Sequence, residues 1–438
     1  MRNGRRYRTI GIMLVLAMVC MSACTTFDSF KNTFIDKDSE STDNVIRIGV
    51  FEPQTGRYSD TGNSEIKGIE LANSIYNSVN GYQVELVKVD TQSTSTAAET
   101  AIQGLIKMNP VAIIGSCGEA TSLIASEYVE DAEIPTITPS ATNPLITQNC
   151  KYYFRASMTG DQMGSGIAEY AYKELGSRHI GIITSANDTA ATAILKGFNK
   201  KINAFVKAKK EAAEETTDNS AYAAAQASEN DSKDSYEPVV LNEEIDIEET
   251  DINKLVKKIK KKSVDTIFIP LGTETMDTVF TAIEKAGLTD IQFIGTKAWG
   301  NEDFIKMMEN HPDIKIAFPY QAVLGNSDSI TEETERFKIE YANKYGSDDI
   351  PTENAALGYD SYLLLINAIH NAKSLDGADI KTALLELKDV KCSTGSFTFD
   401  KNGNTVRPVN ISTIKDGKVV AVYQTEDTTK TEEIEGLD

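Results

Sequence analysis

Side chains able to do chemistry are few in this sequence and poorly placed for it. The three histidines, His179, His311 and His370, together with the cysteines, make no recognisable zinc set. Of the five cysteines, Cys20 and Cys24 fall in an apolar N-terminal segment, and Cys117, Cys150 and Cys392 show no Cys-x-x-Cys spacing. One disulfide, Cys117 with Cys150, stays open. A G-x-S-x-G nucleophile elbow and a P-loop are both missing. These features predict no enzyme, no catalytic residue, no metal and no cofactor. What does stand out is "GTKAWGN", residues 295–301. It carries Lys297 and the chain's single tryptophan, Trp299, between glycines at the end of the apolar run "IQFI". A cation and an aromatic ring on a loop just past a buried strand suit the gripping of a small molecule.

The elements that would position such a loop begin after a leader. "RNGRRYR" places four arginines before the 13-residue apolar run "TIGIMLVLAMVCM". That run is short for a bilayer span but right for the core of a secretory signal. It closes on "MSAC", where small residues precede Cys24; this resembles a bacterial lipoprotein signal, in which residues 1–23 are removed and Cys24 is acylated. Residues 24–43 read as a polar tether. Loss of the four leader arginines moves the formal charge from −21 to −25. A body so acidic is a poor partner for nucleic acid, and the anchor places it outside the cytoplasm, on the membrane by its lipid.

From Asn44 onward, short β-rich runs alternate with amphipathic stretches: "VIRIGVF", "YQVELVKVD", "PVAIIGS" and "IPTITPS" are strands separated by helices. The rhythm restarts after "FRASMTGDQMG" with "HIGIITS", "PVVLNEEI", "DTIFIPL" and "IQFIG". The fold class is therefore α/β, with helix-covered parallel sheets. The length after the leader exceeds what one core usually serves, so two Rossmann-like lobes are expected. Ligands in such sheets sit beyond the carboxyl ends of the strands. Residues 207–237, rich in Ala, Ser and charge, read as a low-complexity insertion, and 426–438 as an acidic tail. "KKIKKK" (257–262) interleaves its lysines with Leu255, Val256 and Ile259 at helical spacing, which makes it a solvated helix face.

In order and spacing, "IRIGVFEPQTGRYSDTGNSEIKGIELA", "VAIIGSCGEATS", "IPTITPSATNPLIT", "YYFRASMTGDQMG", "NAALGYDSYLLLINAIHNA" and "TGSFTFDKNGNTVRPVNISTIKDGKVV" resemble the type I periplasmic binding proteins, in particular the Leu/Ile/Val receptors of ABC importers. The resemblance covers about 45–425 apart from the insertion. It implies two lobes joined by a three-crossover hinge, lobe one holding 45–160 and 320–390, lobe two holding 161–319 and 391–425. It also implies a small-molecule ligand, ABC permease subunits as partners, and a monomer. On the same grounds the ligand carboxylate would meet Ser140, Ala141 and Thr142, with Ser116 and Thr121 near by. Glu119 stands where the family has a neutral serine. In lobe two, Lys297 replaces the acid that grips a ligand ammonium, and Thr189 and Thr273 fall near positions of expected aromatics.

Both charged grips thus look inverted. At an effective dielectric near 20, one like charge about 4 Å away costs roughly 4 kcal/mol, enough to exclude an ordinary zwitterionic amino acid. Either the ligand turns an anionic group toward Lys297, or Glu119 and Lys297 pair across the closed cleft. Trp299 either stacks on a ligand or packs at the lobe interface. The expectation is a lipid-anchored solute-binding protein of amino-acid or amide type that is not a standard Leu/Ile/Val binder; the alternative is a ligand-sensing receptor that signals to a membrane partner.

Overall fold

The computed structural model describes residues 44–185, 189–218, 237–246, 250–271, 273–321 and 330–426. Cys24, the tether, residues 219–236 of the expected insertion and the tail from 427 lie outside the described residues.

Two sheets form the frame. The first comprises β1 (Val45–Glu52), β2 (Ser78–Val79), β3 (Tyr82–Asp90), β4 (Ala112–Gly115), β5 (Thr136–Thr138) and β6 (Tyr153–Arg155), in the spatial order β2-β3-β1-β4-β5-β6. All its pairings are parallel except β2 with β3. The second comprises β7 (Ile180–Ser185), β8 (Val239–Ile245), β9 (Thr266–Phe268), β10 (Gln292–Ile294), β11 (Lys315–Pro319), β14 (Asn410–Lys415) and β15 (Lys418–Gln424), in the order β15-β14-β11-β10-β9-β7-β8. Its first five strands in sequence pair in parallel, and β14 and β15 close one edge antiparallel. Strands such as β1 bury Ile46, Ile48, Val50 and Phe51 in a near-continuous run because helices cover both faces of the sheet.

A pair of helices meets at unusually short range in each lobe, and glycines permit it. Helix Ser59–Ile75 crosses helix Glu353–Asn371 where a Cβ on Gly68 would lie 1.8 Å from the Ala355 carbonyl, and one on Gly358 2.3 Å from that of Glu65. In the second lobe, Gly164 of helix Gly160–Glu169 and Gly197 of helix Thr189–Asp218 do the same, at 1.9 Å from Ile194 and 2.0 Å from Asp161. Helix Gly160–Glu169 begins on a capping box of Thr159 and Gln162. Helix Thr189–Asp218 continues through 207–218, so the start of the expected insertion is helical. Helix Ile252–Lys261 buries Leu255, Val256 and Ile259, with its lysines outside.

The chain passes between the two bodies after β6, after β11 and before β14. The last crossing comes later than the expected boundary at 391. Strands β12 (Val390–Cys392) and β13 (Gly395–Phe397) form a hairpin, and Cys392, Phe397 and Phe399 pack in the first lobe's core with Tyr359 and Leu363. Asp360 secures that hairpin. Its carboxylate accepts the backbone N–H and hydroxyl of both Ser393 and Thr394, at 2.6–3.0 Å. Cys117, Cys150 and Cys392 are free thiols, so the Cys117–Cys150 disulfide is not formed.

Candidate functional site

In both sheets the strand order reverses at a point where the loops after two neighbouring strands diverge, which opens a crevice. In the first sheet that point lies between β1 and β4. Glu52 ends β1, and Ser116, Cys117 and Gly118 follow β4. Ser140, Ala141 and Thr142 follow the adjacent β5, while Glu119 is the first residue of helix Glu119–Asp131. Five of the six first-lobe residues expected from the sequence are therefore at one sheet edge, and Thr121 follows in the first turn of the same helix. Each is already engaged. Ser116 is fully buried, donates to Glu52 at 3.4 Å and accepts the Gly118 N–H at 3.3 Å. Thr121 turns inward to the Gly118 carbonyl at 2.9 Å.

The carboxylate of Glu119 decides the character of the 140–143 loop. Its Oε1 accepts the Thr142 N–H at 2.9 Å and the Thr142 hydroxyl at 3.0 Å, and its Oε2 accepts the Asn143 N–H at 2.8 Å. The donors expected to receive a ligand carboxylate thus hold one supplied by the chain. From the other side, Arg155 donates to the carbonyls of Ala141 at 2.9 Å and Asn143 at 2.6 Å, and to Asn404 at 3.1 Å. Burial lowers the guanidinium pKa to about 10, with Glu119 the main opposing charge. The loop is clamped between an anion and a cation that belong to the fold.

Below the loop lies an acid pair that sequence reasoning missed. Glu65, on helix Ser59–Ile75, is fully buried and accepts the Ser140 hydroxyl at 2.5 Å. Glu52, also fully buried, accepts the Cys117 N–H at 2.8 Å. Burial raises both carboxyls, Glu65 to about 7, and Glu65 raises Glu52 further. Together with the Cys117 thiol, their oxygens lie within 4.8 Å of one another, the one cluster of metal-type donors among the described residues. The chemistry suits a shared proton better than a metal ion. Burial drives the thiol pKa far up, so it stays protonated, and one Glu52 oxygen is already committed to backbone and hydroxyl donors. The one signal in the sequence was a glutamate directly after the apolar strand run in "GVFEP"; Glu65 in "SEIKG" stands beside Lys67 and carries no such mark.

Lys297 crosses the cleft. It opens a 3₁₀ turn, Lys297–Gly300, capped by the Thr296 hydroxyl, and its Nζ donates to the Ser140 carbonyl of the opposite lobe at 3.3 Å. Its charge also lowers the pKa of Glu65 and of Glu353, the first residue of helix Glu353–Asn371. The Glu119–Lys297 pair, one of the two alternatives left open by the sequence, is not formed: Glu119 is taken up by its loop and Lys297 reaches the Ser140 carbonyl. Trp299 also departs from expectation. It is fully buried in the second-lobe core, stacked on Phe304 at 4.9 Å and edge-on to Phe280 at 6.0 Å. Gly295 makes room for the indole, since a Cβ there would sit 2.1 Å from the ring. The ring therefore presents no face to a ligand. Thr273 begins a short 3₁₀ turn and is half-buried. Thr189 starts its helix, with its side chain outside the described residues, as are Asn187 and Asp188.

A family model described as "Periplasmic binding protein" matches residues 45–418. The chain belongs to that family. This periplasmic binding protein is 22% identical over 375 residues to a leucine-, isoleucine-, valine-, threonine- and alanine-binding protein of Pseudomonas aeruginosa, covering 82% of this chain and 87% of that one. An amino acid binding protein of the same organism is 28% identical over 143 residues, 32% of this chain, and the match spans only 38% of that relative's length. Among solved structures, a leucine-binding protein of Thermotoga maritima superposes with a TM-score of 0.68 at 23% identity, over 88% of this chain and all of that one. The shared architecture is the two-lobed α/β fold described above. As a member of a binding family, the protein is not an enzyme, and its site is to be judged by what it can hold.

Proposed function

We propose that this is an extracytoplasmic solute-binding protein, anchored by lipid on Cys24, that takes a small polar ligand between its lobes and delivers it to the permease of an ABC importer. We further propose that ordinary leucine, isoleucine and valine are not its ligands. The family match supports capture of a solute, and relatives named as binding amino acids support the general ligand class. The exclusion rests on Glu119, whose carboxylate takes two N–H groups and a hydroxyl of the 142–143 loop. A ligand carboxylate would have to displace a charge-assisted acceptor of the same chemistry that loses no translational freedom on binding. Closure would follow from a ligand's preference for contacts with both lobes at once.

A thermal-shift screen of the mature protein tests this reading. A ligand at 100 times its Kd adds about 2.7 kcal/mol to stability. Leucine, isoleucine and valine are expected to leave Tm unchanged, while at least one small polar solute raises it. A large shift with leucine that disappears in Thr142→Ala would overturn the exclusion.

A further inference from the structure

Two oxygens are left over in the acid pair below the 140–143 loop. Oε1 of Glu52 and Oε2 of Glu65 are fully buried and accept from no conventional donor. Their sister oxygens are committed. Glu52 Oε2 accepts the Cys117 N–H at 2.8 Å and the Ser116 hydroxyl at 3.4 Å, and Glu65 Oε1 accepts the Ser140 hydroxyl at 2.5 Å. The two side chains bond each other, which two bare carboxylates cannot do, since neither carries a donor. A proton held between the leftover oxygens satisfies both.

The pair is wired to the opposite lobe through a single residue. Ser140 donates its hydroxyl to Glu65, while its carbonyl accepts Nζ of Lys297 at 3.3 Å. The Cys117 N–H, Glu52, Glu65, Ser140 and Lys297 therefore make one line of hydrogen bonds that starts in lobe one and ends in lobe two. Lys297 travels with its own lobe, because the Thr296 hydroxyl caps its turn and Trp299 roots that turn in the second-lobe core.

We propose that the Glu52–Glu65 pair and Lys297 form a proton-controlled latch across the cleft: loss of a proton from the pair draws Lys297 in and favours closed lobes, and its return releases them. The device works without solute, so it stands apart from the identity of the ligand.

The groups around the pair set the sign. Glu65 faces Glu52 from β1, Cys117 from the loop after β4, Ser140 from the loop after β5 and Lys297 from lobe two. Glu52 faces Glu65, Ser116, Cys117 and Tyr153 of β6. Burial raises both carboxyls and Glu65 raises Glu52 further, so Glu65, at about 7, ionises first. The Lys297 charge opposes the rise at Glu65 and does so only while the lobes are together. By linkage, the ionised carboxyl holds the closed form in return. Each unit by which closure lowers the midpoint changes the closed-to-open ratio about tenfold across the titration. Glu353 also faces Lys297, but with Arg407, Tyr320 and the Gln321 N–H around it, and serves as the control.

X-ray scattering of the mature protein without added ligand, from pH 5.5 to 8.5, tests the latch, with carboxyl infrared absorption followed on the same samples. The expected result is a radius of gyration that falls as pH rises through about 7, in step with loss of a protonated-carboxyl band. Glu65→Gln keeps the neutral form and Lys297→Met lacks the cation, so both should hold the larger, acid radius at every pH. Ser140→Ala removes a donor to the ionised carboxyl and should move the midpoint to higher pH, which a merely structural role would not do. Glu353→Gln should leave the pH response in place. A native radius that ignores pH, or grows as pH rises, would overturn the latch. So would a response that survives Lys297→Met or Glu65→Gln, or one that vanishes in Glu353→Gln. If Glu65→Gln does not melt cooperatively, Lys297→Met decides the matter alone.

Discussion

Glu119 is the residue on which the chemistry of this cleft turns. Read in sequence, it was a carboxylate at a helix start where the family resemblance implies a neutral serine; in the fold it accepts the donors of the 142–143 loop. Removing a charged acceptor that satisfies three donors costs about 2–3 kcal/mol. Glu119→Ala should therefore unfold at a lower urea midpoint and, unlike the native protein, regain part of the loss in millimolar acetate or formate; no rescue would mean that the loop collapses rather than waits. Glu65 makes a second prediction. Its carboxyl, about 7 in the fold against an ordinary 4.5, holds its proton more tightly folded than unfolded. Its contribution to stability is thus complete below about pH 4.5 and lost as pH climbs through 7. Between pH 5 and 8 the native protein should lose roughly 1–3 kcal/mol relative to Glu65→Gln, read as the difference between their unfolding curves. A constant difference would assign the proton elsewhere in the pair.

At the scale of elements, the site depends on a helix pair drawn together by glycine. Helix Ser59–Ile75 carries Glu65 and helix Glu353–Asn371 carries Glu353, and their spacing is set by Gly68 and Gly358 meeting opposing backbone. Gly358→Val would force its Cβ into the Glu65 carbonyl, which the backbone can relieve only by separating the helices. Overpacking of this kind costs about 1–3 kcal/mol or more. The expected outcome is a lower Tm together with a lowered Glu65 pKa as water enters, measured by carboxyl infrared absorption. A drop in Tm alone would separate the packing from the acid pair. Nothing local in the sequence marks Gly68 and Gly358 as the points where the two helices touch; that contact is seen only in the fold. Trp299 is the converse case. A lone indole in a glycine-bounded loop left ligand stacking and packing at the lobe interface both open, whereas the space at Gly295 lets it fold back into the second-lobe core on Phe304.

For the whole molecule, the decisive arrangement is two lobes whose facing loops already touch through Lys297 and Ser140. Lys297→Ala removes that bridge, so X-ray scattering should show a larger radius of gyration without ligand; an unchanged profile would mean that hinge packing holds the lobes together without it. At the other end of the chain, Cys24→Ser should abolish labelling by radioactive palmitate and release the protein from the membrane fraction. Retention of label would place the lipid elsewhere.

The order and type of the strands and helices, the α/β class and the family were all legible in the sequence. Each depends on local periodicity or on motifs read in register. Only the tertiary structure decided that Glu119 closes the loop, that Lys297 faces Glu65 and Glu353 rather than Glu119, that Trp299 is core, and that residues 391–399 stay with lobe one. Those outcomes depend on which groups residues dozens to hundreds of positions apart come to face once buried. A buried carboxylate must take the nearest donors or keep its proton, and which donors are nearest is a property of the packed lobes.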